Sequence, residues 1–238
     1  MVNILLEGYD IDASWLRGDL RPYIRPSDRV AVVAFSFRDN RVKTAGDWDR
    51  LYGRENGVYY GGITGGFAAY GIQESQITFL DYFRDTKESA GEKVERADIL
   101  YFLGGLPDRM LDRIEEFSLT DALLRHRGVV MGYSAGAVIQ LGEYHLSPDE
   151  DYPEFAYYRG LPYLEGFYLE VHYEGTAVQK AAIRRVLEER GKPVYATSLR
   201  AGALLVEDGE VRTIGDVERF GRLGPGKRIA ATPDGVSQ

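Results

Sequence analysis

The 238-residue chain contains no cysteine, which removes disulfides, thiolate nucleophiles and cysteine-based metal sites from consideration. Histidine is almost as scarce. The three residues, His126, His145 and His172, stand at no metal-ligand spacing from one another, so neither a metal nor a cofactor is expected. Positive charge is in deficit, with 29 Lys and Arg against 37 Asp and Glu. A formal charge of −8 disfavours nucleic acid and anionic membrane surfaces as partners. No apolar run reaches transmembrane length, and Met1-Val-Asn-Ile-Leu-Leu-Glu7 is too short and too soon interrupted for a signal peptide. The expectation is a cytoplasmic protein.

With 44% hydrophobic residues the chain can bury a large core. Short apolar runs alternate with amphipathic segments, which predicts an α/β fold: a mostly parallel central sheet flanked by helices. Strands are expected at Asn3–Leu6, Arg29–Phe35, Gln76–Leu80, Ile99–Leu103 and Gly128–Met131, with a later group at Val194–Thr197, Ala203–Glu207 and Glu210–Ile214. Asp208-Gly209 between the last two is a type I′ turn signal, so the sheet should end in a C-terminal antiparallel hairpin. Helices are expected at Trp48–Leu51, Gly66–Tyr70, Arg109–Phe117, Leu119–His126, Ala135–Leu141 and Thr176–Arg190. Residues 1–223 read as one domain and 224–238, rich in Gly, Pro and small polar residues, as a fraying tail. Two segments resist assignment, the Tyr- and Gly-rich Asp47–Gly71 and the Pro-, Tyr- and acid-rich Ser147–Tyr163. Either suits a flap over a site, an inert surface loop or an interface in a homo-oligomer.

The motif that carries chemistry is Gly132-Tyr133-Ser134-Ala135-Gly136. It follows the apolar Val129-Val130-Met131 and opens a small-residue helix. Serine on such a turn has a strained backbone and a hydroxyl pushed outward, beside the first free N–H groups of the helix. Gly132 and Gly136 suit it because side chains there would strike the neighbouring strand and helix. The strand end at Leu103-Gly104-Gly105-Leu106-Pro107 offers further backbone N–H groups.

A serine hydroxyl needs a base. His126 lies at a polar helix end, and His145 follows the nucleophile helix and should sit at its far end. His172 closes the apolar run from Phe167 and precedes a long helix, where a second catalytic residue belongs. The base needs an acid to hold its tautomer. Asp149, in the loop after the nucleophile helix, and Glu174, two residues beyond His172, are both placed to supply it. The order Ser134, Asp149, His172 matches α/β-hydrolases, but the spacing does not, and no His-Gly-Gly oxyanion motif is present.

Gly-Gly after the fourth strand, Gly-Tyr-Ser-Ala-Gly-Ala after the fifth, then a histidine before a long helix: this arrangement resembles the serine peptidase family of aspartyl dipeptidase (peptidase E) and cyanophycinase, over roughly Ile4 to Ile214. The resemblance implies a class I glutamine amidotransferase-like fold. It also implies Ser134 as nucleophile, His172 as base, the N–H groups of Gly105 and Ala135 as oxyanion hole, and Asp149 as an acid sometimes assigned to the relay. Two departures stand out. The family's Gly-Gly-Gly-Asn-Thr is here Gly104-Gly105-Leu106-Pro107-Asp108, and Arg200 occupies the turn where relatives tend to keep an acid. His172-Tyr173-Glu174 resembles the His-x-Glu pair of the amidotransferases, which favours Glu174 over Asp149, whereas serine at 134 argues against glutaminase chemistry.

The expectation is therefore a serine-type peptidase cleaving short peptides through an acyl-enzyme. An esterase or amidase with the same apparatus is the nearest alternative. A catalytically silent, amidotransferase-like ligand-binding protein is the other, suggested by Arg200.

Overall fold

Five strands in the first 133 residues are built from apolar runs with almost no alternation: β1 (Val2–Leu6), β2 (Val30–Val33), β3 (Ile77–Leu80), β4 (Ile99–Phe102) and β5 (Val129–Tyr133). Such runs belong to strands covered on both faces, as β1, β2 and β4 are throughout, whereas β3 at the sheet edge leaves Thr78 exposed. The computed structural model describes residues 1–221, without the side chain of Arg200, and pairs these five strands in parallel in the order β3-β2-β4-β5-β1. Alternate residues feed two separate cores. Val30 and Val32 join Ile4, Tyr101 and Met131 beneath α1 (Arg17–Leu20), α2 (Ala45–Tyr52) and α3 (Tyr60–Ala68). Ala31 and Val33 join Leu100, Phe102 and Val130 against α4 (Lys87–Glu95), α5 (Pro107–Glu116) and α6 (Thr120–Arg125). Each fully buried aliphatic side chain in these layers contributes about 1.5–3 kcal/mol.

Beyond β5 come α7 (Ala135–Val138), a separate antiparallel pair β6 (Glu143–Leu146) and β7 (Ala156–Arg159), then β8 (Tyr168–Tyr173), α8 (Ala177–Arg190), β9 (Val194–Glu207) and β10 (Glu210–Phe220). Strand β9 runs antiparallel to β1, carries β8 in parallel along its first half, and turns into β10. The turn residues Asp208 and Gly209 both have positive φ, as the Asp-Gly signal requires.

Several expectations change. The runs Val194–Thr197 and Ala203–Glu207 are one continuous strand, β9, because β10 pairs along both. The segment Asp47–Gly71 is not a loop: Thr44 and Asp47 form a capping box that starts α2, and Trp48 and Tyr52 bury one turn apart. In glycine-rich α3 close packing accounts for Gly66, where a Cβ would lie 2.9 Å from Ile11 Cγ1, while Gly61 and Gly65 face open space. Ser147–Tyr163 contributes β7, and the turn before it is tied down by an ion pair between Arg38 and Asp151. Helix α4 was unforeseen; Thr86 and Ser89 cap it reciprocally. The helix expected to reach Leu141 ends at Val138, because the Ile139 and Gln140 carbonyls accept from Leu161 and Leu164 N–H at 2.7 and 3.0 Å. The proposed tail, 224–238, lies outside the described residues.

Candidate active site

The turn after β5 is strained where chemistry would need it. Ser134 has φ 53° and ψ −116°, a conformation costing an L-residue roughly 1–3 kcal/mol. Tight packing compels it. A Cβ at Gly136 would lie 2.0 Å from Phe102 O, and one at Gly132 would lie 2.3 Å from Gly136 O. The Ser134 N–H donates to Leu6 O on the neighbouring β1 at 3.0 Å, while Ser134 O accepts from Ala137 and Val138 N–H. Nothing but the hydroxyl is left to project.

His172 sits near the end of β8, where the register with β9 slips between Glu170 and Tyr173. Its φ is also 53°, so two side chains of this site stand on positive-φ backbone. Bulges of this kind re-aim a side chain. Here the ring meets Ser134, with Nε2 2.8 Å from Oγ. Gln179, in the first turn of α8, donates to His172 O at 2.8 Å and holds the bulge from behind. The imidazole is half exposed.

The carboxylate on the other side of the ring is Glu7, the first residue beyond β1. Its Oε1 is hydrogen-bonded to His172 Nδ1, and Oε2 accepts from His172 N–H at 2.9 Å and Thr197 Oγ1 at 2.8 Å. Glu7 is buried, so three donors fix its carboxylate in one orientation. Hydrogen bonding to Glu7 raises the His172 pKa above the ordinary histidine value, burial opposes it, and the Glu7 charge adds to the rise. With the Nδ1 proton donated to Glu7, neutral His172 presents the Nε2 lone pair to the Ser134 hydroxyl. That tautomer can accept a proton from serine.

The two expected oxyanion donors come from adjacent strand ends, since Phe102 of β4 pairs with Gly132 of β5. Gly105 has φ +138°, and a Cβ there would lie 2.3 Å from Ser36 O. Ala135 is the first residue of α7. Among the described residues neither N–H donates to a backbone carbonyl.

Neither acid expected at His172 is there. Glu174 is exposed, and among the described residues its carboxylate has no hydrogen bond or ion pair. Asp149 folds back on its own turn, accepting from Asp151 and Tyr152 N–H at 2.8 and 2.7 Å; its charge only adds a minor upward push at His172. The Arg200 side chain lies outside the described residues. From that same stretch it is Thr197 that reaches the site, through Glu7. His145 is buried and bonded to Glu170 at 2.7 Å. His126 caps α6 beside a cavity of about 700 Å³ lined by Val2, Gly128 and Val129, the amino ends of β1 and β5 and so the end of the sheet opposite Ser134.

Glu7 is the residue that sequence reasoning passed over. The signal was present: an acid directly after an apolar strand, at the carboxyl end where sites form. Nothing local distinguished it from a strand-terminating charge. Among the described residues no three acidic or histidine side chains converge as metal ligation would require.

Residues 63–214 match the model of peptidase family S51, a stretch that includes Gly105, Ser134 and His172 but not Glu7. A candidate peptidase E protein from Listeria monocytogenes EGD-e superposes with a TM-score of 0.62 at 17% identity, covering 90% of this chain and 98% of its own. A peptidase from an acI-B1 Actinobacterium superposes with a TM-score of 0.58 at 15% identity, covering 92% of this chain and 93% of its own. At these identities the likeness is one of fold. No curated protein sequence matches the chain significantly.

Proposed function

The chain belongs to peptidase family S51, and from that premise we propose that it is a hydrolase cleaving short peptides with Ser134 as nucleophile, His172 as general base and Glu7 as the orienting acid. One observation carries the reading: His172 lies with Nε2 2.8 Å from Ser134 Oγ while Nδ1 is bonded to buried Glu7.

In the first step Ser134 Oγ attacks the scissile carbonyl carbon as its proton passes to His172 Nε2. Glu7, already bonded to Nδ1, stabilises the imidazolium as it forms. The N–H groups of Gly105 and Ala135 receive the developing oxyanion, each such donor being worth about 10²–10³ in turnover. His172 then returns the proton to the leaving amine, and the C–N bond breaks to give the acyl-enzyme. Water then attacks that ester as its proton passes to His172 Nε2, and His172 delivers the proton to Ser134 Oγ as the acyl C–O bond breaks, releasing the acid product and restoring the Ser134 hydroxyl. The silent ligand-binding alternative was motivated by Arg200 in place of an acid. Glu7 supplies the acid from a different strand and removes that motive.

The test is direct. A fluorophosphonate probe should label Ser134 and a dipeptide library should contain hydrolysed members. Absence of both from folded protein rejects the reading, and hydrolysis of esters alone transfers it to the esterase.

A further inference from the structure

An oxyanion hole made of backbone works only if its peptide plane faces the right way. The N–H of Gly105 belongs to the same peptide unit as the carbonyl of Gly104, and in a trans peptide these two groups point in opposite directions. Gly105, with φ +138°, is a glycine in a region where flipping meets no Cβ barrier, so its own backbone does not choose the orientation.

Ser36 chooses it. The residue is fully buried in the segment following β2. Its Oγ donates to Gly104 O at 2.6 Å, and its own carbonyl accepts from Leu106 N–H at 2.8 Å. The Gly104–Leu106 turn is thus pinned on both sides of Gly105 by one residue. Sheet order gives the direction. Strand β4 lies between β2 and β5, so a Gly104 carbonyl bonded toward the β2 side leaves the Gly105 N–H facing the β5 side, where Ser134 stands.

Ser36 is itself held from behind. Arg113, a buried residue of α5, is bonded to Phe35 O and donates to Phe37 O at 2.9 Å, the carbonyls flanking Ser36. Its guanidinium also lies over the Phe37 ring at 3.7 Å. A buried cation thereby anchors the segment that presents Ser36 to the turn.

We propose that Ser36 is a positioning residue that locks the Gly104–Gly105 peptide with the Gly105 N–H turned into the site, so that the oxyanion hole is formed before substrate arrives. This rests on Ser134 acting as nucleophile. Ser36 itself touches neither substrate nor the reacting atoms.

Ser36→Ala removes the hydroxyl and leaves the backbone acceptor in place. On a hydrolysed dipeptide its kcat should fall about 10²–10³-fold, the cost of one oxyanion donor, with KM changed less than threefold. Ser36→Thr, which restores a hydroxyl, should return kcat to within about tenfold of the parent. A crystal structure of Ser36→Ala should show the Gly104–Gly105 peptide flipped or in two orientations. If the alanine variant does not fold, Ser36→Cys, near in volume and a weaker donor, takes its place in the same measurements. Unchanged kcat, a loss confined to KM, or a peptide that keeps its orientation without the hydroxyl overturns the inference. If the parent protein neither hydrolyses nor labels at Ser134, the proposed function fails separately. The peptide orientation in the variant then still decides the role of Ser36.

Discussion

Strand β8 gives one residue to each of two groups made from the same three side-chain types. In one, His172 stands in the middle, with Ser134 at Nε2 and Glu7 at Nδ1. In the other, Glu170 stands in the middle, bonded to His145 Nε2 at 2.7 Å and accepting from Ser147 Oγ at 2.7 and 2.8 Å. The order matters more than the inventory. A serine bonded to a carboxylate has already given its proton direction away from any imidazole, whereas a serine bonded to a neutral imidazole nitrogen can lose that proton. Access differs as well. His172 is half exposed and stands on strained backbone, while His145 is fully buried, its ring near those of Phe155 and Tyr168. The first group is arranged so that a proton could pass from serine to imidazole, and the second ties β6 to β8.

The largest expected contrast between them is in turnover. Ser134→Ala should lower kcat by about 10⁶-fold with the fold retained, and Ser147→Ala should leave kcat within about threefold. Steady-state assays on a hydrolysed dipeptide measure both, and a large loss for the second variant would erase the distinction. Next comes the acid. Glu7→Gln should cost about 10³–10⁴-fold in kcat, by analogy with removal of the orienting charge in serine triads.

A third contrast should invert the first. His145→Ala leaves Glu170 buried without its ring partner and should cost about 3 kcal/mol of stability in urea unfolding, with little change in kcat below the transition. Ser134→Ala should change stability by less than about 1 kcal/mol in the same experiment, because alanine keeps the Cβ and with it the strained backbone, and only the partly exposed hydrogen bond to His172 is lost.

The pH profile sharpens the difference further. Glu7 raises the His172 pKa, so the imidazole keeps its proton to higher pH than a free histidine and serves as a base only above that point. Log kcat/KM should therefore rise with pH through an apparent pKa above about 6.5. Glu7→Gln should move this limb to lower pH. The sign for stability is opposite. The pairing of protonated His172 with Glu7 stabilises the fold fully below the unfolded histidine pKa, and that contribution is lost as pH rises through the raised value. Smallest of all, Glu174→Gln and Asp149→Asn should each change kcat by less than about threefold, since neither carboxylate contacts the ring.

The amino-acid pattern alone determined a good deal of this protein. Continuous apolar runs announced strands covered on both faces, because only burial on both sides selects every residue. The glycines around Ser134 announced a turn too crowded for a Cβ, and the Asp208-Gly209 pair announced the hairpin. His172 was legible because it closes an apolar run just before an amphipathic helix. These are local signals, each written within a few residues of the feature it describes.

Tertiary structure decided which carboxylate meets His172 and which residue bonds the Gly104 carbonyl. Glu7 stands 165 residues from His172 in sequence and reaches it because β1 lies between β5 and β9. Strands that are apolar on both faces carry no mark of which strand is their neighbour, since any of them would cover any other equally well. Ser36 contacts Gly104 for the same reason, through the adjacency of β2 and β4. The sequence wrote the strand ends where chemistry could occur, and the crossovers between strands chose which ends would meet.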